Sequence, residues 1–160
     1  MAEQKTNVMR TLEQRKIEYT ALEYPHADAP VDGASVAAMT GRDPARVFKT
    51  LVTRGASGKI YVFVIPVAME LELKKAAKAA GEKSVAMIHV SEITALTGYV
   101  RGGCSPIGMK KQYDTVYHSS ILRQSTVMVS AGRIGFQVEL EPAELIKLTR
   151  GKTADIAAEV

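Results

Sequence analysis

The residues of this chain that invite chemistry are few and widely separated. Lys49 stands inside the run Val47-Phe48-Lys49-Thr50-Leu51-Val52, with apolar neighbours on both sides. A lysine in such a strand either snorkels to solvent or points into a polar pocket. In a pocket it supplies a fixed positive charge for an oxyanion or phosphate; at a sheet edge it discourages aggregation. Gly102-Gly103-Cys104-Ser105-Pro106-Ile107-Gly108 is the most unusual segment. Three glycines and a proline in seven residues demand special backbone geometry, either a tight turn or an anion-binding nest of N–H groups. Lys110 and Lys111 follow it directly. Ser130-Ala131-Gly132-Arg133 closes one strand and turns into the next, and it presents a hydroxyl and backbone N–H groups or is a plain hairpin. Tyr24 lies at the mouth of the loop after the first strand, where it walls a pocket, stacks on a base or fills the core.

Other reactive types are poorly placed. Cys104 is the single cysteine, so no disulfide framework or cysteine-rich zinc site is possible within the chain. As a nucleophile it needs a base from His26, His89 or His118; as an ordinary lone cysteine it is a small apolar filler. The three histidines lack metal-ligand spacing, so no metal is expected. There is no GxSxG, no GxxxxGK[ST] and no GxGxxG, and no cofactor is expected.

These residues need elements to position them. Thr6 is a cap for a first helix whose apolar face is Val8, Met9 and Leu12. Ile17, Tyr19 and Ala21 alternate as a strand, and residues 24–33 read as a loop. A short helix from Ala34 to Met39 ends at Gly41, and Asp43-Pro44 opens a brief turn. Val47–Thr53 and Lys59–Val67 read as strands joined by Gly55-Ala56-Ser57-Gly58. The second strand places Tyr61, Phe63 and Ile65 on one face and Val62 and Val64 on the other, so it should be central. Residues 70–80 form a strong helix ended by Gly81, with Lys74 and Lys78 on one face. A strand at Val85–His89 and a helix capped by Ser91 follow. Strands are expected at Asp114–His118, Thr126–Ser130 and Ile134–Leu140, then a helix at Ala143–Thr149 ended by Gly151. Interleaved strands and helices with local hairpins predict an α/β or α+β domain with a mixed sheet.

Composition agrees with one globular domain over residues 1–160. Hydrophobic residues make up 46% and charged residues 24%, which excludes a disordered or collagen-like chain. No apolar run approaches a bilayer span, and MAEQKTNVMR lacks the apolar stretch of a secretory signal, so the cytoplasm is expected and a membrane is not. The net charge of +4 is unevenly spread. Thirteen basic and six acidic side chains lie between residues 42 and 123, an excess of seven between two mildly acidic ends. That is the pattern of a phosphate-facing surface or of an ordinary solvated face.

Five segments in order carry a resemblance: FKTL (Phe48–Leu51), LKKAAKAAG (Leu73–Gly81), TGYVRGGCSPIGMKK (Thr97–Lys111), VSAGRIGFQVEL (Val129–Leu140) and ADIA (Ala154–Ala157). Together they resemble the YbaK/EbsC group of Cys-tRNA(Pro) deacylases, within the superfamily of editing domains related to prolyl-tRNA synthetases. The resemblance implies a compact mixed α/β domain, with a strongly bent sheet enclosing a pocket and helices outside. It implies hydrolysis of the ester joining a wrong amino acid to tRNA, with Lys49 as the key functional residue. Substrate contacts are implied at Tyr24, Gly102, Gly103, Ser105, Pro106, Gly108, Ser130 and Gly132. Cys-tRNA deacylation in the group is thought to use the substrate's own thiol, so no protein nucleophile is implied. The acceptor end of the tRNA gives the basic segment a partner, with Lys74, Lys78, Lys110 and Lys111 as candidate contacts. Prolyl-tRNA synthetase is the implied protein partner. Alternatives are the same fold acting on Ala- or Ser-charged tRNA, a non-catalytic tRNA- or synthetase-binding module, and a thiol hydrolase acting through Cys104. Relatives often have Gly-Gly where this chain has Ala131-Gly132, and an apolar residue where it has Cys104.

Overall fold

The computed structural model describes residues 5–26 and 31–159. Its centre is β3 (Ile60–Pro66), in which every residue is buried. β3 pairs antiparallel with β2 (Phe48–Gly55) and parallel with β6 (Asp114–His118). β5 (Val85–Met87) joins the far end of β2, and β9 (Lys152–Ala154) lies parallel beside β6. The five-stranded mixed sheet thus runs β5-β2-β3-β6-β9. The alternation of β3 divides the core as its sequence predicts. Val62 and Val64 face a cluster with Val8 and Leu12 of α1 (Asn7–Gln14) and Leu145 of α5 (Pro142–Thr149). Tyr61, Phe63 and Ile65 face Ala76 and Ala77 of α3 (Leu73–Ala80). A strand buried on both faces has no room for truncation, and Phe63→Ala would cost about 3–5 kcal/mol.

β1 (Thr20–Glu23), β7 (Val127–Ser130) and β8 (Phe136–Leu140) form a separate antiparallel sheet in the order β1-β8-β7. A parallel bridge between Val47 and Met128 joins it to the start of β2. The bend expected of the sheet is therefore a junction between two sheets. A third small core of Tyr24, Val36, Ala37, Val47 and Met128 fills the angle. α2 (Gly33–Thr40) enters this core with Asp32 as its cap, whose Oδ1 accepts the Ser35 N–H at 2.9 Å.

Several boundaries differ from expectation for tertiary reasons. Residues 70–72 are not helical, because β4 (Met69–Leu71) pairs with β10 (Ala157–Glu159) before α3 begins. β9 and β10 are too short to announce themselves by periodicity. The alternation from Ile17 begins too early: the Ile17 N–H still bonds to Leu12 O of the first helix, and β1 starts at Thr20. Ser91 does not cap; it lies inside a 3-10 turn (Val90–Glu92) that runs into α4 (Ile93–Thr97). The Glu92 carboxylate reaches back to the His89 N–H at 3.2 Å. α5 ends on Arg150 in the left-handed region (φ 55°), one residue before the expected glycine. Thr6 caps α1 as expected, accepting the Met9 N–H at 3.2 Å. The loop expected at 24–33 falls partly on residues 27–30, which lie outside the described residues.

Candidate functional site

A cavity of about 690 Å³ opens where the two sheets part. Five consecutive residues of β2, Phe48 to Val52, line it. An ordinary strand would show alternate residues to one side. Here β2 presents its edge. β5 pairs only with Thr53–Gly55, beyond that the Ile88 N–H reaches Val52 O, and at the other end Val47 bridges Met128 of β7. Between these points β2 has β3 on one side and the cavity on the other.

This edge carries Lys49, half-buried and without an ion-pair partner among the described residues. Thr50 beside it buries its Oγ1 with no hydrogen-bond partner among the described residues. Gln137 of β8 enters from the second sheet, only 6% exposed, with no side-chain hydrogen bond among the described residues. Its cross-strand neighbour is Ser130, which also lines the cavity. A buried polar group without a partner is costly, by about 1–3 kcal/mol. That cost falls on the Thr50 hydroxyl; with Lys49 and the Gln137 amide also unpaired among the described residues, this is the arrangement of a site that waits for a polar ligand.

The far wall is different. Arg101, Gly102 and Cys104 line the cavity. Gly103 is buried and its N–H already donates to Val100 O at 3.0 Å. A Cβ there would meet the backbone of Arg133 and Ile134 at 3.1–3.3 Å, so this glycine permits two loops to touch. Ser105 is fully buried and its Oγ accepts the Ile107 N–H at 3.3 Å. Pro106 is buried behind it, and Gly108 (φ +77°) turns over the Tyr99 hydroxyl, which donates to Ile107 O. Burial pushes the Tyr99 hydroxyl up to about 12, so it keeps its proton for that bond. The Gly132 N–H donates to Ser130 Oγ at 3.1 Å, and Gly132 (φ +94°) packs on Tyr99 and Val8 rather than on the cavity. Ala131 is fully buried in the main core and does not line the cavity.

Of the residues singled out in the sequence, Tyr24, Lys49, Gly102 and Ser130 come together on the cavity wall. Gly103, Ser105, Pro106, Gly108 and Gly132 stand behind that wall as its support. Lys74 and Lys78 on α3, and Lys110 and Lys111 beyond the glycine loop, are set away from it, and none lines the cavity. Sequence reading missed Gln137, Arg101 and the apolar rim of Met87, Ile88, Val90 and Ile93. The signal for Gln137 was its place opposite Ser130 across the hairpin, visible once the register is known.

The cavity offers little for nucleophilic catalysis by the protein. None of its described lining residues is a histidine. Burial pushes the Cys104 thiol up to about 11, against a small opposing effect of a hydrogen bond with Thr97, so it stays protonated at neutral pH. Among the described residues no group of three or more His, Cys, Asp or Glu could hold a metal. Asp32 lines the cavity, but its carboxylate is engaged by the Ser35 N–H and hydroxyl, which hold it below the usual carboxylate range. No described helix is long and apolar enough to cross a membrane.

Known proteins share the sequence and fold that build this cavity. A protein of Enterococcus faecalis named "Putative Cys-tRNA(Pro)/Cys-tRNA(Cys) deacylase EbsC" is 47% identical over 154 residues, covering 96% of this chain and 94% of the other. Among solved structures, hypothetical protein APE2540 superposes with a TM-score of 0.84 at 26% identity, over 94% of this chain and 99% of that one. A structure described as "a putative trans-editing enzyme for prolyl tRNA synthetase" gives a TM-score of 0.81 at 25% identity, over 94% of each chain. The aminoacyl-tRNA editing domain family matches residues 29–148, a span that takes in α2 and runs into the last turn of α5. With its mixed α/β fold and a lysine-bearing strand edge opening on a cavity, this chain belongs to the aminoacyl-tRNA editing domain family.

Proposed function

We propose that this protein cleaves the ester between a wrongly attached amino acid and tRNA, with Cys-tRNA(Pro) as the preferred substrate. The observation that carries this reading is the pairing of Lys49, a cation without an ion-pair partner among the described residues, with a described lining that has no histidine and whose one thiol, Cys104, is held protonated by burial. A reaction there must draw its nucleophile from elsewhere. In cysteinyl-tRNA the substrate's thiol supplies it. The thiol loses its proton and its sulfur attacks the ester carbonyl; the carbonyl carbon–ribose oxygen bond then breaks. The ribose oxygen gains a proton, and the amino acid leaves as a cyclic thiolactone that water opens. Intramolecular attack gains several kcal/mol from proximity alone.

The protein then has to orient and stabilise. Lys49 faces the developing oxyanion, assisted by the Gly102 backbone. Thr50, Ser130 and Gln137 hold the aminoacyl group, and Tyr24 closes the end of the cavity. Gly103, Ser105, Pro106, Gly108 and Gly132 keep the wall in register. Lys74, Lys78, Lys110 and Lys111 meet phosphates of the acceptor stem. A tRNA substrate places the reaction in the cytoplasm, and prolyl-tRNA synthetase is the partner from which mischarged tRNA is handed over. The decisive experiment is a deacylation panel of Cys-, Ala-, Ser- and Pro-tRNA(Pro) with the wild type and Lys49→Ala. The expected result is fastest release of cysteine, abolished in the variant. Faster release of alanine or serine would transfer the assignment to those substrates. Binding without release would leave a tRNA-binding module.

A further inference from the structure

A second cavity, of about 530 Å³, lies on another part of the molecule. It is enclosed by the turn Pro44–Arg46, the end of β3, β4, the end of β6 and the turn Ser119–Arg123. It shares no lining residue with the first: Val67 lines one, while Pro66 and Ala68 line the other. Its inner groups are hydrogen-bond donors without partners. His118 is 6% exposed, and its Nδ1 accepts the Ile156 N–H at 3.3 Å. That bond leaves the ring proton on Nε2, and no described residue accepts it. Ser120 buries its Oγ with no partner among the described residues. At the mouth, Arg123 is exposed and forms no ion pair with a described residue.

The mouth also carries two carboxylates. Asp43 uses Oδ1 to accept the Ala45 N–H, and Glu159 is exposed opposite Met69 at the β4–β10 pair. Pro44, Pro66 and Met69 supply apolar surface to the same lining. A simple anion would suit the inner donors but meet two carboxylates with one guanidinium to offset them. A simple cation would suit the rim and leave the buried donors unpaired. A molecule with a carboxylate and an ammonium on one carbon satisfies both.

We propose that this cavity binds a free α-amino acid with an apolar side chain. The carboxylate accepts from Ser120 Oγ, His118 Nε2 and Arg123. The ammonium donates to Asp43 and Glu159, and the side chain packs on Pro44, Pro66 and Met69. The assignment stands whether or not the first cavity deacylates tRNA.

The test is an NMR titration of the full chain with L-valine and L-proline, followed at the His118 ring and the Ser120 amide. The single-charge analogues isovalerate and isobutylamine serve as controls. The expected result is a saturable shift with at least one amino acid, with either control at least about tenfold weaker. Ser120→Ala should weaken binding by about tenfold while raising the stability of the free protein, because it removes an unpaired buried hydroxyl. Arg123→Gln, an exposed change, should weaken binding similarly without altering stability. No saturable shift at tens of millimolar would overturn the proposal. So would equal binding of isovalerate, or shifts confined to residues of the first cavity such as Lys49 and Gln137.

Discussion

The two walls of the first cavity are built on opposite plans. On the β2 wall the polar groups are left over: among the described residues Lys49 lacks an ion pair and the Thr50 hydroxyl lacks a partner, and the strand has a free edge between Phe48 and Leu51. On the glycine wall the polar groups are mostly engaged within the protein. Gly103 N–H bonds to Val100, Ser105 Oγ to Ile107 N–H, Tyr99 hydroxyl to Ile107 O, and Gly132 N–H to Ser130 Oγ. The difference teaches that a glycine-rich segment beside a pocket need not be a nest of free N–H groups. Here its glycines let backbones and an aromatic ring approach closely, and the reactive capacity sits on an ordinary-looking strand.

That contrast is open to attack by mutation, beginning with the strand. Lys49→Ala should lower deacylation by at least about 100-fold, the scale of a lost oxyanion-stabilising group, while leaving the melting temperature near wild type. A variant that kept most of its rate would move the chemistry off the β2 wall. The glycine wall should fail differently. In Gly132→Ala a Cβ would sit 3.0 Å from the Tyr99 ring and 3.2 Å from Val8, at a φ of +94°. A loss of about 1–3 kcal/mol is expected, read by chemical denaturation, with activity falling because the fold falls. If stability held and only the rate dropped, Gly132 would belong with Lys49 after all.

Smaller effects sharpen the same distinction. Replacing Lys74, Lys78, Lys110 and Lys111 by glutamine should reduce the slope of tRNA affinity against salt by roughly one for each phosphate no longer neutralised, with the rate on bound tRNA unchanged. A salt response identical to wild type would remove these lysines from the interface. Tyr99→Phe should cost about 1 kcal/mol of stability by freeing the Ile107 carbonyl, and the glycine loop should show faster hydrogen exchange. The smallest effect is expected at Cys104. Cys104→Ala should leave the rate within a factor of about three, because a buried protonated thiol acts as a small apolar filler. Burial holds this thiol protonated below its value of about 11, so the wild-type pH–rate profile should carry no step from it short of that point. A dead but folded Cys104→Ala would revive the thiol-hydrolase alternative.

Much of the frame was legible from local pattern. Thr6, the turn at Gly55–Gly58, the two-faced burial of β3 and the glycine after α3 all follow rules that act within a few residues. What stayed hidden depended on partners distant in sequence. Residues 69–71 form a strand only because residues 157–159 lie beside them, and β9 exists only as a companion to β6. The site divides along the same line. Lys49 was conspicuous as a charge among apolar neighbours, whereas Gln137 looked like a routine polar strand residue until the hairpin register set it against Ser130.

By itself the sequence determined a mixed α/β domain, a lysine embedded in an apolar strand, and a set of motifs shared with editing domains. Only the tertiary structure decided that Lys49 stands on a free strand edge, and that Gly103 and Gly132 turn their N–H groups inward. Residue type and spacing fix which backbone shapes and charges are available. Whether a given donor is left for a ligand depends on which acceptor another segment brings within about 3 Å of it, and that is set by the packing of the whole chain.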